Sequence, residues 1–201
     1  MAVLLTAEEG KLAVKIARET IARHLRGEDE KEWDVPQKFM QKYGVFVTIN
    51  THPGGHLRGC IGYPEPVYPL INALISAAKS AATQDPRFMP MRAEELDNVV
   101  IEVTILTPPE LLKVSDPEEY FEFIEIGKHG LIAERGPWRG LLLPQVPVEW
   151  GWDLEEFLCE TCMKAGLDQY AWKDLSTKIY RFEGQIFGEK EPWGEVEEIK
   201  L

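Results

Sequence analysis

One order of secondary-structure patterns occurs twice along this chain of 201 residues. A short helix, a β-hairpin, a long helix and a final strand are predicted within residues 36–107 and again within residues 115–188. The Arg-Gly dipeptide at Arg58 recurs at Arg139, an offset of 81 residues (139 − 58). We therefore predict an α+β fold of two degenerate repeats packed as two subdomains. Two α+β halves that share this order by chance are the alternative.

The seam between the two subdomains is where we expect a cleft, because ligand pockets concentrate at such junctions. An amphipathic helix over residues 6–27 precedes the repeats; Thr6 and Glu9 begin it as a capping box, and Gly27 ends it. The other predicted elements show helical or strand periodicity and are, in chain order, helix 36–43, strands 44–50 and 56–63, helix 69–84, strand 98–106, helix 121–126 with a Ser115–Glu118 cap, strands 130–133 and 140–146, helix 153–165 and strand 177–187.

Composition restricts the functional classes. The 34 acidic and 22 basic residues leave a net charge of −12, which disfavours a protein that gathers nucleic acid by neutralising phosphates, although a local basic cleft stays open. The N-terminus has no basic region and only a short apolar run, so we expect neither a signal peptide nor an anchor, and a cytoplasmic location. Three cysteines are an odd number without a secretory signal, so we expect thiols rather than a disulfide framework.

The hexapeptide 57–62, Leu-Arg-Gly-Cys-Ile-Gly, carries the most unusual combination of residues. On a strand, Arg58, Cys60 and Gly62 share one face. A guanidinium beside a thiol favours the reactive thiolate, while Gly59 and Gly62 leave room for a substrate or another backbone to come close. The alternative is structural, because free cysteine often fills a small space in a core and glycine near a hairpin often marks a bulge.

At this hexapeptide the sequence resembles the AMMECR family, named after a human chromosomal deletion with Alport syndrome, mental retardation, midface hypoplasia and elliptocytosis. The resemblance covers residues 6–190 in the family's order. The other segments that carry it are Asp85-Pro86-Arg87-Phe88 with Pro90, Ile101-Glu102-Val103, Gly127-Lys128-His129-Gly130-Leu131, Gly140-Leu141-Leu142-Leu143-Pro144-Gln145-Val146, and Cys162 with Lys164-Ala165-Gly166-Leu167.

This resemblance implies one compact α+β domain over residues 1–201, with the signature strand at the junction of two subdomains. It implies no particular reaction and leaves the cofactor unknown, because the family's biochemical activity is not established. Prokaryotic members are often encoded beside, or fused to, Memo-type and radical-SAM proteins, which implies a shared pathway or a modification partner. The chain has no three-cysteine cluster motif, so it is not predicted to be the radical enzyme itself.

Glu102 lies on a predicted strand that is apolar on both faces. A carboxylate in that position must be paired, hydrogen-bonded or shifted in pKa. Arg58 and Arg87 are the expected partners. A general acid or base and a structural ion pair are equally good interpretations of this residue.

Asp85 and Arg87 lie where a predicted helix ends and Pro86 forces an extended turn. An arginine held on such a turn can bind a carboxylate or phosphate through its forked guanidinium, whether that anion belongs to a substrate or to Glu102. A staple that only holds the turn together is the alternative, and it is slightly favoured.

Two further binding candidates lie in the second repeat. Arg139 is the counterpart of Arg58 and is expected to point into the same seam, but Leu141 stands where the first repeat has Cys60. Gln145 is a candidate because it lies in the segment 140–146, which resembles the family.

Two other spacings suggest chemistry only weakly. Cys159 and Cys162 have C-x-x-C spacing but lie well inside a predicted helix, where packing is favoured over redox or zinc chemistry. His52, His56 and Cys60 span the hairpin, and histidines near a glycine-rich turn are more often solvated than metal-bound. No metal site is predicted.

These observations favour a protein that binds a small molecule, such as a nucleotide or a cofactor-like compound, in the seam between the subdomains. Cys60 is the candidate nucleophile or covalent acceptor, and Glu102 is the second catalytic candidate. The predicted substrate-binding residues around them are Arg58, Gly59, Gly62, Asp85, Arg87, Arg139 and Gln145.

The rival interpretation is a non-catalytic regulatory or adaptor protein that recognises a partner protein or the nucleic-acid machinery through the same cleft. An accessible Cys60 with a low pKa favours the small-molecule interpretation. A buried and inert Cys60 favours the adaptor.

Overall fold

The computed structural model of the chain describes residues 5–200. Its α-helices lie at intervals along the whole chain: α1 (Ala7–Arg26), α2 (Leu70–Thr83), α3 (Tyr120–Phe123), α4 (Gln145–Trp150) and α5 (Leu154–Lys164). Its strands are β1 (Gly44–Thr51), β2 (Leu57–Tyr63), β3 (Val99–Leu106), β4 (Glu110–Leu111), β5 (His129–Arg135), β6 (Trp138–Leu142), β7 (Lys178–Glu189) and β8 (Val196–Ile199). Short 3₁₀ helices occupy Gln37–Met40, Ala93–Asn98, Pro117–Glu119 and Ala171–Lys173.

This mixture of helices and antiparallel strands confirms the predicted α+β class. The described chain divides into two compact units. Unit 1 comprises residues 5–106 and 185–200, and unit 2 comprises residues 107–184. Strand β7 therefore gives its first residues to unit 2 and its last residues to unit 1.

Unit 1 is built on the predicted hairpin. Strand β1 pairs antiparallel with β2 on one side and with β3 on the other. The apolar residues Val45, Val47 and Ile49 alternate along β1 and are fully buried. They pack with buried residues of β3, α1 and α2 in one core, as strand alternation with one apolar face requires. The other face of these three strands carries the polar residues of the candidate site.

Helix α1 begins and ends where the sequence predicts. The Thr6 side chain accepts a hydrogen bond from the Glu9 backbone, and the Glu9 side chain accepts one from the Thr6 backbone, which completes the capping box. Gly27 ends the helix with φ of 67°, a left-handed conformation that glycine adopts without steric cost. The predicted short helix 36–43 is a single 3₁₀ turn over Gln37–Met40.

Unit 2 repeats the order of hairpin, helix and returning strand. Strand β5 pairs with β6 and also with β7, as β1 pairs with β2 and β3. Helix α5 packs its buried Phe157, Leu158 and Cys162 into the core of this unit. Helix α4, between the hairpin and α5, has no counterpart in unit 1, and the duplication of the two halves stays a prediction.

The predicted helix 121–126 is wrong in its bounds. A 3₁₀ turn over Pro117–Glu119 leads directly into α3, which ends at Phe123. Its N-terminal cap is Asp116, whose Oδ1 accepts the Glu118 N–H at 2.9 Å, and not Ser115. A carboxylate caps this end well because it also complements the partial positive charge of the helix N-terminus.

The predicted strand 140–146 is also wrong. Strand β6 ends at Leu142, and the chain then forms α4, which ends at Gly151 with φ of 66°. Proline is tolerated in the first turn of a helix, where its missing N–H has no partner to lose, so Pro144 and Pro147 are compatible with α4. The apolar run that suggested a continuing strand hid this short helix.

Candidate functional site

The face of the unit 1 sheet opposite the core carries a row of polar side chains. Thr48 on β1 lies opposite Cys60 on β2 and opposite Glu102 on β3. Residues directly opposite each other in an antiparallel pair share a face, so all three side chains project to the same side. Two strand spacings place the Cα atoms of Cys60 and Glu102 about 10 Å apart. We call Thr48, Asn50, Arg58, Cys60 and Glu102 the polar face.

Cys60 is a partly buried thiol. The Thr48 hydroxyl donates a hydrogen bond to its Sγ at 3.3 Å. Burial raises the pKa of Cys60, an effect that the Thr48 hydrogen bond and the charge of Arg87 oppose and that Asp85 and Glu102 reinforce. The direction of this shift favours the protonated thiol over the thiolate, and the reactivity of Cys60 stays a prediction.

Arg58 does not act on the Cys60 thiol. Its Nε and Nη2 donate to the two carboxyl oxygens of Glu95 at 2.8 and 3.1 Å. These hydrogen bonds lower the pKa of Glu95 and commit the guanidinium to it. Residue spacing along β2 predicts the shared face of Arg58 and Cys60, but the direction of a long side chain depends on its distant partner.

Asp85 and Arg87 form a clamp on the outer edge of β2. Asp85 is 4% exposed, and it accepts the Cys60 backbone N–H at 2.9 Å. Arg87 donates from Nε and Nη2 to the two Asp85 oxygens at 3.0 and 2.7 Å, and from Nη2 to the Cys60 carbonyl oxygen at 3.4 Å. The Arg87 hydrogen bonds hold the pKa of Asp85 well below its usual range. The turn staple is thus the structural role of this pair, and it fixes the backbone at Cys60.

Glu102 is partly buried, and its hydrogen-bond partner is Asn50 instead of the expected arginine. Asn50 Nδ2 donates to Glu102 Oε1 at 2.8 Å. A Cβ placed on Gly188 would lie 2.9 Å from Glu102 Cγ, so this glycine makes room for the carboxylate side chain. Burial raises the pKa of Glu102, and the Asn50 hydrogen bond opposes that shift.

We expect Glu102→Gln and Glu95→Gln to have opposite effects on the pH dependence of stability. The pKa of Glu102 is raised in the folded protein. Its contribution to the free energy of unfolding is therefore present at low pH and is lost as the pH rises through that pKa. The pKa of Glu95 is lowered in the folded protein. Its contribution to the free energy of unfolding is therefore present at neutral pH and is lost on acidification. Urea unfolding between pH 4 and 8 therefore shows Glu102→Gln gaining stability relative to wild type as pH rises, whereas Glu95→Gln loses it. If both variants changed in stability in the same direction, relative to wild type, as the pH rises, the two pKa assignments would be contradicted.

Gly59 and Gly62 accommodate atoms of the chain itself. A Cβ on Gly59 would lie 2.1 Å from the Ala81 carbonyl oxygen in α2. A Cβ on Gly62 would lie 2.4 Å from both the Phe46 ring and the Val45 carbonyl oxygen. The close approach predicted at these glycines is thus made by another segment of backbone and by an aromatic ring.

Arg139 and Gln145 belong to unit 2 and are not part of the polar face. Arg139 forms an ion pair with Glu134 and lies over the Tyr180 ring, 5.3 Å from its centroid. Gln145 is the first residue of α4, and its buried Oε1 accepts no hydrogen bond from the described residues.

The C-x-x-C cysteines pack inside unit 2, as the helix interpretation predicts. Cys162 is fully buried, and burial raises its pKa to about 11. Cys159 Sγ accepts a hydrogen bond from Trp172 Nε1 at 3.4 Å. Among residues 5–200, no group of three or more His, Cys, Asp or Glu side chains is arranged to hold a metal ion. Within the same range, no helix has the length and apolar character needed to span a membrane.

Sequence reasoning missed Thr48 and Asn50. The signal for them was present, since both alternate with the apolar residues of β1 and therefore occupy its polar side. The hairpin register pairs Thr48 with Cys60. Combining that register with the alternation would have placed Thr48 beside the thiol.

Comparisons with known proteins agree with this architecture. The AMMECR1 family model matches residues 14–187. The chain belongs to the AMMECR1 family. Protein MJ0810 of Methanocaldococcus jannaschii is 58% identical to it over 198 residues, which cover 98% of each chain. Protein PYRAB00100 of Pyrococcus abyssi is 51% identical over 199 residues, which cover 96% of this AMMECR1 chain and 97% of the relative.

Among solved structures, this AMMECR1 chain is similar to the crystal structure of an uncharacterized protein, PH0010, from Pyrococcus horikoshii. The TM-score is 0.89 at 49% sequence identity, and the match covers 98% of this chain and all of the other. The fold described here is therefore one that this family member also adopts.

Proposed function

We propose that the polar face of unit 1 binds a small polar molecule, with Glu102 and Cys60 as its two contact points. The observation that carries this proposal is the row Cys60, Thr48, Glu102 across three neighbouring strands. A partly buried carboxyl and a partly buried thiol, both with raised pKa values, lie at opposite ends of it. Perturbed titratable groups on one accessible face are typical of functional sites.

Glu102 is suited to hydrogen bonding and proton exchange with a ligand. Asn50 holds one carboxyl oxygen and leaves the other to a bound molecule. A protonated carboxyl donates a hydrogen bond and an ionised one accepts, and the raised pKa of Glu102 favours the protonated form. Such a group recognises an amide, a hydroxyl or a heterocyclic nitrogen, which are the groups that nucleotides and cofactor-like compounds present.

Cys60 acts first as a neutral contact and becomes a nucleophile only when a base removes its proton. The Asp85–Arg87 clamp fixes the Cys60 backbone, which holds the thiol in place. A ligand with a polarised double bond, such as an activated alkene or a carbonyl, would add to Cys60: the π bond breaks as the S–C bond forms, and the thiol proton passes to the ligand atom that receives the electron pair.

Native mass spectrometry of the purified protein tests the proposal. We expect a bound mass that disappears on denaturation, or an adduct that maps to the peptide containing Cys60. Glu102→Gln and Cys60→Ala should lose that mass, because each removes one end of the row. Glu134→Gln, a carboxylate change in unit 2, is the matched control and should retain it.

The adaptor interpretation is the second candidate, and exposed apolar residues after β2 favour it. Val67 and Tyr68 are 55% and 51% exposed, as is common where a partner protein docks. A protein that has its calculated mass in both native and denatured spectra, with no adduct on Cys60, would contradict small-molecule binding and support this candidate.

A further inference from the structure

Two oxygen atoms of the polar face have no hydrogen-bond donor among residues 5–200. Asn50 Nδ2 donates to Glu102 Oε1 at 2.8 Å, whereas Glu102 Oε2 and Asn50 Oδ1 accept no hydrogen bond from this part of the chain. Since neither atom is fully buried, a ligand can reach both. They are neighbours, because the hydrogen bond joins the side chains to which they belong. A ligand at this end of the polar face must therefore bring hydrogen-bond donors.

Glu102 also lacks a counter-charge. In the described part of the chain, no lysine, arginine or histidine forms an ion pair with it, and no cation contributes to the shift of its pKa. Arg58 is committed to Glu95. Arg87 is committed to Asp85. Burial disfavours an ionised carboxyl that has no cation beside it, so a cationic ligand would supply the partner that stabilises this form.

Strand β8 adds negative charge on the same side of the sheet. A Cβ on Gly188 would lie 2.9 Å from Glu102 Cγ, so the side-chain direction at this position of β7 is toward the polar face. Glu197 lies opposite Gly188 and therefore projects to that side too. Lys190 is shared between Glu197 at 2.9 Å and Glu195 at 3.2 Å. Two carboxylates on one ammonium group leave negative charge in excess, which attracts a cation.

Apolar side chains border the free carboxyl oxygen. The same Cβ on Gly188 would lie 2.8 Å from Ile199 Cδ1, so the Ile199 and Glu102 side chains lie side by side above this glycine. Ile199 is 36% exposed. Val100 is partly exposed and lies two residues before Glu102, on the same face of β3. A ligand that reaches Oε2 can therefore also cover apolar surface.

We propose that the polar face binds a small organic cation with N–H donors, of the amidinium or guanidinium class; this inference rests on the proposed function of that face. The N–H groups donate to Glu102 Oε2 and Asn50 Oδ1, and the apolar part of the ligand lies against Ile199 and Val100. The planar fork of such a cation presents neighbouring donors that match a carboxylate. A divalent metal ion needs more oxygen ligands than one carboxyl and one amide supply.

Titration of isotopically labelled full-length protein with benzamidine, benzamide and benzoate, followed by NMR, tests this proposal. The three probes share one ring and carry a positive charge, no charge and a negative charge. We expect benzamidine to shift the side-chain amide signal of Asn50, assigned with Asn50→Ala, and the backbone amide signal of Glu102. Benzamide should bind about tenfold more weakly, because hydrogen bonds between charged groups are stronger than those of a neutral donor. Benzoate should shift neither signal.

Two carboxyl variants test the contact itself. Glu102→Gln removes the charge and keeps the shape, so it should weaken benzamidine binding about tenfold and change benzamide binding less than about twofold. Glu122→Gln changes an exposed carboxylate of unit 2 by the same charge and should leave both affinities unchanged. Spectra without a probe show whether each variant is folded, and the comparison of the three probes on wild-type protein needs no variant.

Failure of this inference differs from failure of the proposed function. Benzamide or benzoate bound at the polar face as tightly as benzamidine would overturn the cation, while small-molecule binding at that face would stand. Equal losses of benzamidine affinity in Glu102→Gln and Glu122→Gln would also overturn it. If no probe shifted the polar-face signals, the cation would be overturned and native mass spectrometry would decide the proposed function. A bound mass that Glu102→Gln loses would support that function, and the absence of any bound mass would contradict it.

Discussion

Replacement of Arg18 by methionine is expected to lower the free energy of unfolding by about 3 to 5 kcal/mol, because it leaves a buried carboxylate without its cation. Arg18 and Glu189 have side chains that are 3% and 4% exposed. Arg18 Nε donates to Glu189 at 2.8 Å, and the guanidinium also donates to the carbonyl oxygens of Leu96 and Val99 at 3.0 and 2.7 Å. Glu189 Oε2 accepts the Ile101 backbone N–H at 2.9 Å. One substitution therefore disconnects α1, β3 and β7 within unit 1.

Arg23→Met is the matched control for this prediction, since it lies on the same helix. Its ion pair with Glu28, at 3.3 Å, has side chains 36% and 42% exposed, so its loss should cost less than about 1 kcal/mol. Chemical denaturation of both variants measures the difference. The double variant Arg18→Met with Glu189→Met should cost less than the two single changes added, because it leaves no buried charge. Equal losses in Arg18→Met and Arg23→Met would contradict the buried ion pair.

Local sequence patterns predicted the elements that local chemistry determines. Helix α1 has a capping box, a continuous apolar stripe and a terminal glycine, and each of these acts within a few residues. The β1–β2 hairpin follows from strand alternation and turn residues. Helix α4 was missed because an apolar run with two prolines fits the end of a strand as well as the first turn of a helix.

The partners of the site residues could not be predicted in the same way. The sequence placed Arg58 and Cys60 on one strand face, but tertiary packing directs Arg58 to Glu95 and positions Arg87 near the thiol. Asp85, 25 residues from Cys60 along the chain, binds its backbone. Such choices depend on how α2 packs against the sheet, which no local pattern records.

Arg18 shows the same limit in the core. It lies on the apolar stripe of α1, four residues after Val14 and three before Ile21, so its position indicates burial. A charged residue on such a stripe requires a partner. That partner, Glu189, is 171 residues away along the chain, and only the folded structure identifies it.

Gly59→Ala is expected to lower the free energy of unfolding by about 3 kcal/mol, the upper end of the usual cost of inserting one methyl group into a packed interior. Its Cβ would lie 2.1 Å from the Ala81 carbonyl oxygen. A backbone oxygen inside α2 cannot move aside as a flexible side chain can, so the helix and β2 must separate. Urea unfolding measures the loss, and Ala81→Gly should not relieve it because the clash is with backbone.

Gly54→Ala, in the hairpin turn, provides the comparison. Its Cβ would lie 3.0 Å from the end of the His56 side chain, which is exposed and can rotate away, so stability should change by less than about 0.5 kcal/mol. The pair of variants also separates the two interpretations of the signature hexapeptide. If Gly59→Ala kept full stability but lost the mass bound at the polar face, the glycine would serve ligand access. A large loss of stability that is the same with and without the bound molecule would instead show that α2 needs Gly59 in order to pack against β2. Gly59 would then support the site by holding the strand on which Cys60 lies.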